Sequence, residues 1–293
     1  MEKLKKVWFI TGASRGFGLE IAKAALASGD KVVATVRRDP EQVSVGLNNL
    51  PGLLMVQLDV TNETEVKLGV QQAIARFGRI DVVVNNAGYG MVTAIEEASD
   101  AEVRKQFDTN VFGLLNVTRA VLPHMRRQRS GHIINISSLF GYDAIPGWGL
   151  YGSTKFAVEG LSKGLALELA PFGIYVTAIA PGLFSTDFLS ADSYTASAHP
   201  IDDYKQTVTG QMRDRAGQLH GKQPGDPKKL AAVVVKLTQI DKPPLHLPIG
   251  KDAIAMYRNN AAKTLAEISQ WEELSSGTDR EPDVKQEKSI EHV

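Results

Sequence analysis

"ITGASRGFGLEIA", residues 10–22, places three glycines within seven positions between an apolar run and an apolar-periodic stretch. A strand that passes through such a turn into a helix exposes the first backbone N–H groups of that helix. Together with the helix dipole, these attract phosphate. Gly12, Gly16 and Gly18 would permit the tight turn, close approach of a pyrophosphate to the backbone, and close packing of helix on sheet. A ligand-free glycine turn has the same signature, so neighbouring signals must decide.

Short apolar runs alternate with longer amphipathic stretches along most of the chain. The pattern predicts strands near 6–11, 31–36, 53–58, 81–85, 132–137, 174–180 and 245–249, and helices near 17–28, 62–77, 100–129, 151–170, 226–239 and 251–271. Ser99 to Glu102 reads as a capping box, and Asp226-Pro227 as an N-cap with proline in the first turn. Because the strands are apolar at nearly every residue, they belong to a parallel sheet buried on both faces. That predicts an α/β fold, one doubly wound Rossmann-type domain over residues 1–271 with ligands at the carboxyl ends of its strands. Residues 182–225 are too long for an ordinary connection and predict an inserted substrate lid, with a helix over 201–219 marked by Ile201, Tyr204, Val208 and Met212. From Glu272 to Val293 the chain is charged and free of aromatics, which predicts a disordered tail.

Composition narrows the class of partner. With 33 basic and 33 acidic residues in 293, the chain carries no electrostatic footprint for nucleic acid or an anionic membrane, which leaves a small molecule. It has no cysteine, which excludes disulfides, thiolate metal sites and a cysteine nucleophile. The six histidines show no His-x-x-x-His pairing, so no metal is expected. The apolar run after the N-terminal lysines is too short for a signal-peptide core, and no stretch is long enough to span a bilayer, so the expected location is cytoplasmic.

Two further patterns carry chemistry. A dinucleotide site wants a carboxylate near the end of the second strand for NAD, and an arginine there for a 2′-phosphate. This chain has Arg37 and Arg38 at that place and Arg15 inside the glycine turn, which favours NADP, with NADPH preferred over NADH. Tyr151 and Lys155 lie four residues apart on a predicted helix and so share one face. A nearby ammonium favours the ionised phenol, which suits the pair to moving a proton to or from an alcohol oxygen. Ser137 and Ser138 end a predicted strand shortly before, where a hydroxyl can polarise a carbonyl or simply satisfy a turn.

These residues resemble the short-chain dehydrogenase/reductase family. The matching pieces are "TGASRGFG" (11–18), "LDVT" (58–61), "NNAG" (85–88), "DTN" ending at Asn110, "NISS" ending at Ser138, "YGSTK" (151–155) and "PG" (181–182), in family order, over residues 5 to about 250. The fuller text is most like the branch with 17β-hydroxysteroid, retinol and related carbonyl reductases. The resemblance implies strand order 3-2-1-4-5-6-7, 4-pro-S hydride transfer, and a homodimer or homotetramer paired through the helices at 100–129 and 151–170. It implies Tyr151 as general acid in reduction, Lys155 on the nicotinamide ribose, Ser138 on the carbonyl oxygen, and Asn110 anchoring a water relay to Lys155. Gly12, Ser14, Arg15, Gly16, Phe17 and Gly18 would cradle the pyrophosphate and ribose, with Arg37 and Arg38 toward the 2′-phosphate. Asp59 and Val60 would flank the adenine, Asn86, Ala87 and Gly88 the adenosine side, and Pro181, Gly182, Phe184 and Thr186 the carboxamide. Phe17 stands where isoleucine is common in the family.

Tyr89, Phe140, Tyr142, Trp148, Phe184, Phe188 and Tyr194 lie beside these positions and would suit a bulky, apolar ketone or secondary alcohol. A non-catalytic dinucleotide sensor on the same fold would have no need of Asn110, Ser138, Tyr151 and Lys155 together. A nucleotide-sugar epimerase would usually show Gly-x-x-Gly-x-x-Gly, whereas the spacing here is Gly-x-x-x-Gly-x-Gly.

Overall fold

The apolar runs assemble side by side, and the central ones bury both of their faces, while those at the two edges stay half-buried. In β1 (Val7–Ile10) every residue is buried. Trp8 and Ile10 point into one core with Ile21, Ala22 and Ala25 of α1 (Gly16–Ala27), while Phe9 points into a second core on the opposite face. The second core takes Val66 and Val70 of α2 (Glu63–Phe77). Fully burying each such side chain stabilises the fold by about 1.5–3 kcal/mol, which is why the strands read as unbroken apolar runs.

The structure is a computed structural model and describes residues 5–41, 43, 47, 50, 52–189, 194–218 and 221–280. The further strands are β2 (Lys31–Val36), β3 (Leu53–Gln57), β4 (Val82–Asn85), β5 (Gly90–Val92), β6 (Gly131–Ile136), β7 (Ile174–Pro181), β8 (Tyr194–Ala196) and β9 (His246–Ile249). Seven of them form one parallel sheet in the order β3-β2-β1-β4-β6-β7-β9, which is 3-2-1-4-5-6-7 when its own strands are counted. The remaining helices are α3 (Asp100–Phe107), α4 (Gly113–Gln128), α5 (Gly149–Leu169), α6 (Val208–Gln218), α7 (Pro227–Leu237) and α8 (Lys251–Ser276). Both expected caps are present: Ser99 and Glu102 bond reciprocally at the start of α3, and Asp226 accepts from the Lys228 N–H at 2.8 Å ahead of α7.

The structure departs from the sequence pattern in three places. The helix expected over 100–129 is broken by a π-helical turn at Asp108–Phe112, where the Gly113 N–H reaches back to the Asp108 carbonyl. Gly113 stands there because a Cβ would meet Val60 Cγ2 at 2.6 Å. In the 182–225 segment the helix begins at Val208, not at 201, and β8 pairs with β5 in a small second sheet that no alternation in the sequence announced. At the C-terminus α8 runs on to Ser276, so the first residues of the expected tail are helical, and residues 281–293 lie outside the described residues.

The sheet centre is tied by buried amides. Asn85 Nδ2 donates to Asn135 Oδ1 at 2.9 Å and to Thr118 Oγ1 at 3.2 Å, and Asn135 Nδ2 donates to Ser162 Oγ at 2.9 Å. These bonds join β4 and β6 to α4 and α5 just behind the strand ends. Asn135→Ala leaves buried donors and acceptors unpaired and is expected to lower the unfolding free energy by about 2–4 kcal/mol. Chemical denaturation checks this, and a loss within the noise of a surface substitution would contradict it.

Candidate active site

Gly12 and Gly16 hold φ values of +65° and +57°, the left-handed region open to glycine. A Cβ on Gly18 would come within 2.4 Å of the Gly12 carbonyl oxygen, and one on Gly12 within 3.0 Å of Ala87 Cα. At the head of α1 the cap is Arg15, whose side chain makes no capping bond, and the first turn holds no acidic residue. Gly16 and Phe17 of its first turn line the cleft, and the missing Cβ atoms leave a cradle there for an anion.

The strand ends place the other predicted residues around one cleft of about 1020 Å³. From the cofactor set it is lined by Gly12, Ser14, Arg15, Gly16 and Phe17 after β1, Arg37 and Arg38 after β2, Asp59 and Val60 after β3, and Asn86, Ala87 and Gly88 after β4. Pro181 at the end of β7 and Gly182, Phe184 and Thr186 beyond it line it too, with Ser138, Tyr151 and Lys155. Gly18 and Asn110 stand one layer behind. Asn86 is also a structural tie, its Nδ2 donating to the carbonyls of Thr11 and Gly12 at 2.9 and 3.0 Å.

Tyr151, Lys155 and Ser138 come together through α5 and the turn after β6. Lys155 Nζ lies 5.7 Å from the centroid of the Tyr151 ring and donates to the Ile136 carbonyl at 2.8 Å. Burial pushes the Lys155 ammonium down to about 8, while Glu159, one helical turn further on, pulls it back up. The Tyr151 phenol goes the other way than its neighbouring lysine suggests. Burial raises it above its ordinary value, with only its bond to Ser138 opposing, so in the free protein the phenol keeps its proton. Asn110 sits in the π turn with its amide engaged: Nδ2 donates to the Tyr89 carbonyl at 3.0 Å and to Thr154 Oγ1 at 3.1 Å, and Oδ1 accepts from the Tyr89 N–H at 3.1 Å.

The aromatic residues divide. Trp148 packs between Phe140, stacked at 5.2 Å, and Phe188, stacked at 6.3 Å, and all three surround the Tyr151 ring. Phe184 meets Phe17 edge-on at 5.4 Å, and Tyr89 also lines the cleft. Tyr142 does not line it; it stacks on Tyr257 at 3.6 Å, beside a buried Glu159 that accepts from His246 Nδ1 at 2.9 Å. Tyr194 packs behind Phe140 and Trp148 and is likewise not among the lining residues.

Residues 6–196 match the family described as short chain dehydrogenase. The chain belongs to the short-chain dehydrogenase/reductase family. It is 41% identical over 275 residues to oxidoreductase BOA17 of Botryotinia fuckeliana, covering 93% of this chain and 98% of that one. The crystal structure of a short-chain dehydrogenase from Streptomyces avermitilis superimposes with a TM-score of 0.86 at 39% identity, covering 94% of this chain and all of the other. The structure of ElxO with NADP bound matches at a TM-score of 0.72 and 30% identity, covering 86% of this chain and all of ElxO. This short-chain dehydrogenase is therefore an oxidoreductase that uses a nicotinamide dinucleotide. The glycine cradle, the head of α1 without a side-chain cap and, of the four buried polar atoms without a partner among the described residues, the two on cleft-lining residues, Ser137 Oγ and Gln223 Oε1, fit that group.

Several lining residues escaped the sequence analysis. Thr195, Met212 and Gln223 reach this dehydrogenase's cleft from the 182–225 segment, Met256 from α8, and Ile145 from the loop ahead of α5. Lys105 and Thr109 of the long bulged helix line it as well, and Asp39, at φ +51°, follows the arginine pair. None carries a local signature. Among the described residues no group of three or more metal-binding side chains occurs, and no helix is long and apolar enough to cross a membrane.

A base held below its unfolded pKa costs stability wherever the folded protein must carry its charge. For Lys155 that cost is complete below about pH 8 and fades as pH rises toward its ordinary 10.5. Lys155→Met is thus expected to stabilise the cofactor-free dehydrogenase by about 1–3 kcal/mol at pH 7. The gain shrinks between pH 8 and 10.5. Denaturation curves at pH 7 and pH 10 check it; a variant less stable at pH 7 would sink the claim.

Proposed function

We propose that this dehydrogenase is an NADPH-dependent carbonyl reductase acting on bulky, apolar ketones or aldehydes. The observation that carries the reading is the meeting of Ser138, Tyr151 and Lys155 inside an aromatic-walled cleft that also holds Arg15, Arg37 and Arg38. Bound NADPH supplies a hydride, on the 4-pro-S side in this family. The chain's own residues manage the oxygen and the proton. Ser138 donates a hydrogen bond to the carbonyl oxygen, and Tyr151 delivers its proton to that oxygen as negative charge builds there. Lys155 stabilises the phenolate left behind and binds the nicotinamide ribose, while Asn110 anchors the water relay that returns the proton. Burial raises the Tyr151 phenol above its ordinary value, so the residue carries the proton that reduction consumes.

Cofactor choice follows charge. The three arginines support a 2′-phosphate through charge-assisted hydrogen bonds, and ElxO, which shares the fold, holds NADP. Asp59 and Val60 would flank the adenine, Asn86 to Gly88 the adenosine side, and Pro181 to Thr186 the carboxamide. Phe140, Trp148 and Phe188 form the apolar wall for the substrate, under a lid formed by 182–225. Phe112, Phe156 and Leu167 remain exposed on the bulged helix and α5, which supports pairing of subunits through those faces.

The test follows NADPH absorbance with aryl, steroidal and β-keto ester carbonyls beside Tyr151→Phe. Turnover is expected to fall by about 10²–10⁴-fold while NADPH affinity is retained. Equal activity in the variant would overturn the mechanism. In a second experiment, Arg37→Ala with Arg38→Ala is expected to cut the preference for NADPH over NADH by about tenfold or more. Unchanged selectivity in the ratio of kcat/KM values would remove the arginines from the 2′-phosphate site.

A further inference from the structure

Gln223 lines the cleft at 9% exposure, and its Oε1 is buried with no hydrogen-bond partner among the described residues. Desolvating an amide oxygen without a donor is unfavourable. Of the three buried amide oxygens without a partner among the described residues, Asn85 Oδ1, Gln106 Oε1 and Gln223 Oε1, that of Gln223 belongs to a cleft-lining residue. An acceptor of this kind on a ligand cleft marks a place for a bound donor.

The chain around Gln223 shows which end of the cleft it serves. Two residues on, the Gly225 N–H donates to the Leu183 carbonyl at 3.0 Å, and the Ser185 N–H donates to the Gly225 carbonyl at 2.8 Å. Gly225 carries no side chain because a Cβ would stand 2.5 Å from the Phe184 ring. Phe184 in turn packs edge-on against Phe17, and Thr186 Cβ lies 3.7 Å from where a Cβ on Gly16 would be. The backbone that presents Gln223 is therefore stitched to the segment leaving β7, which itself rests on the glycine turn.

We propose that Gln223 is a cofactor-binding residue whose Oε1 accepts a hydrogen bond from the carboxamide N–H of the nicotinamide. This rests on the NADP(H) reading above, which brings Pro181 to Thr186 to that carboxamide. Chemistry selects the partner. The acceptor needs a donor, which ionised phosphates cannot supply, and the carboxamide carries two N–H groups at the end of the cofactor that this segment borders. Gln223 lies within the 182–225 segment, so the bond also ties that segment to the bound cofactor.

The experiment is a two-by-two comparison by isothermal titration calorimetry. NADP and its 3-acetylpyridine analogue, whose acetyl group lacks the N–H donors, are titrated into the wild type and Gln223→Met, which keeps the length and loses the amide. The wild type is expected to bind the analogue about tenfold more weakly than NADP. Gln223→Met is expected to bind NADP about tenfold more weakly than the wild type and to lose no more with the analogue. Binding of 2′,5′-ADP, which lacks the nicotinamide end, stays equal in both proteins and reports that the variant is folded. Equal NADP affinity in the two proteins overturns the proposal, as does an unchanged ratio of NADP to analogue in Gln223→Met. Equal weakening of 2′,5′-ADP also overturns it, by showing a general loosening of the site. Failure of the wild type to bind NADP at all would instead remove the cofactor reading on which the proposal stands.

Discussion

The close crossing of the turns that follow β1 and β4 is the constraint on which the site depends. These neighbouring strands stand where the strand order reverses, so their outgoing chains part to opposite faces of the sheet and leave a crevice. Thr11 locks the crossing. Its Oγ1 accepts from the N–H groups of Asn86 and Ala87 at 2.9 and 3.0 Å, and its own N–H donates to the Val84 carbonyl at 3.0 Å. Only glycine fits at 12 and 18, because the backbone atoms that would block a Cβ are the ones that make the crossing. The head of α1 is thereby brought to the crevice with its N–H groups outward.

A second constraint works against stability. Lys155 and Tyr151 are both buried, and burial moves each toward its neutral form, the amine downward and the phenol upward. Each opposing influence comes from a group fixed by the fold: Ser138 at the end of β6 for the phenol, and Glu159 on α5 for the ammonium. Glu159 is held in turn by His246 and Tyr257, so β9 and α8 take part in the electrostatics of the site from behind. Tyr142 belongs to this supporting cluster.

The rim of the cleft formed by β8 and α6 is held by one buried acid. Glu97 accepts from the backbone N–H groups of Ala94 and Ile201 and from the Thr93 hydroxyl, and pairs with Arg213 of α6 at 3.2 Å. Burial alone would raise its pKa, but those donors outweigh it and hold the carboxyl below the ordinary range. It fastens the chain from β8 to α6 onto the body of the protein. Met212 of α6 and Thr195 of β8 thus line the cleft, with Met212 packed against the cluster that holds Phe140 and Trp148.

Residues 10–22 and the apolar runs by themselves determined the sheet, its parallel direction and the edge where ligands bind, because a buried parallel strand and a glycine turn into a helix both leave local marks. The same holds for Ser138, Tyr151 and Lys155, which sit at strand ends or at helical spacing. Tertiary structure alone decided the rest. The π turn at Asp108–Phe112 is set by the approach of Gly113 to Val60 from a distant loop. Tyr142 turned away from the cleft because Tyr257 and His246, more than a hundred residues later, offered it a stacking surface. Gln223 and the two methionines entered the cleft from the 182–225 segment and α8. Periodicity records what a residue does for its own helix or strand, while the pKa values and the cleft wall arise from groups far apart in the chain, whose meeting no local pattern encodes.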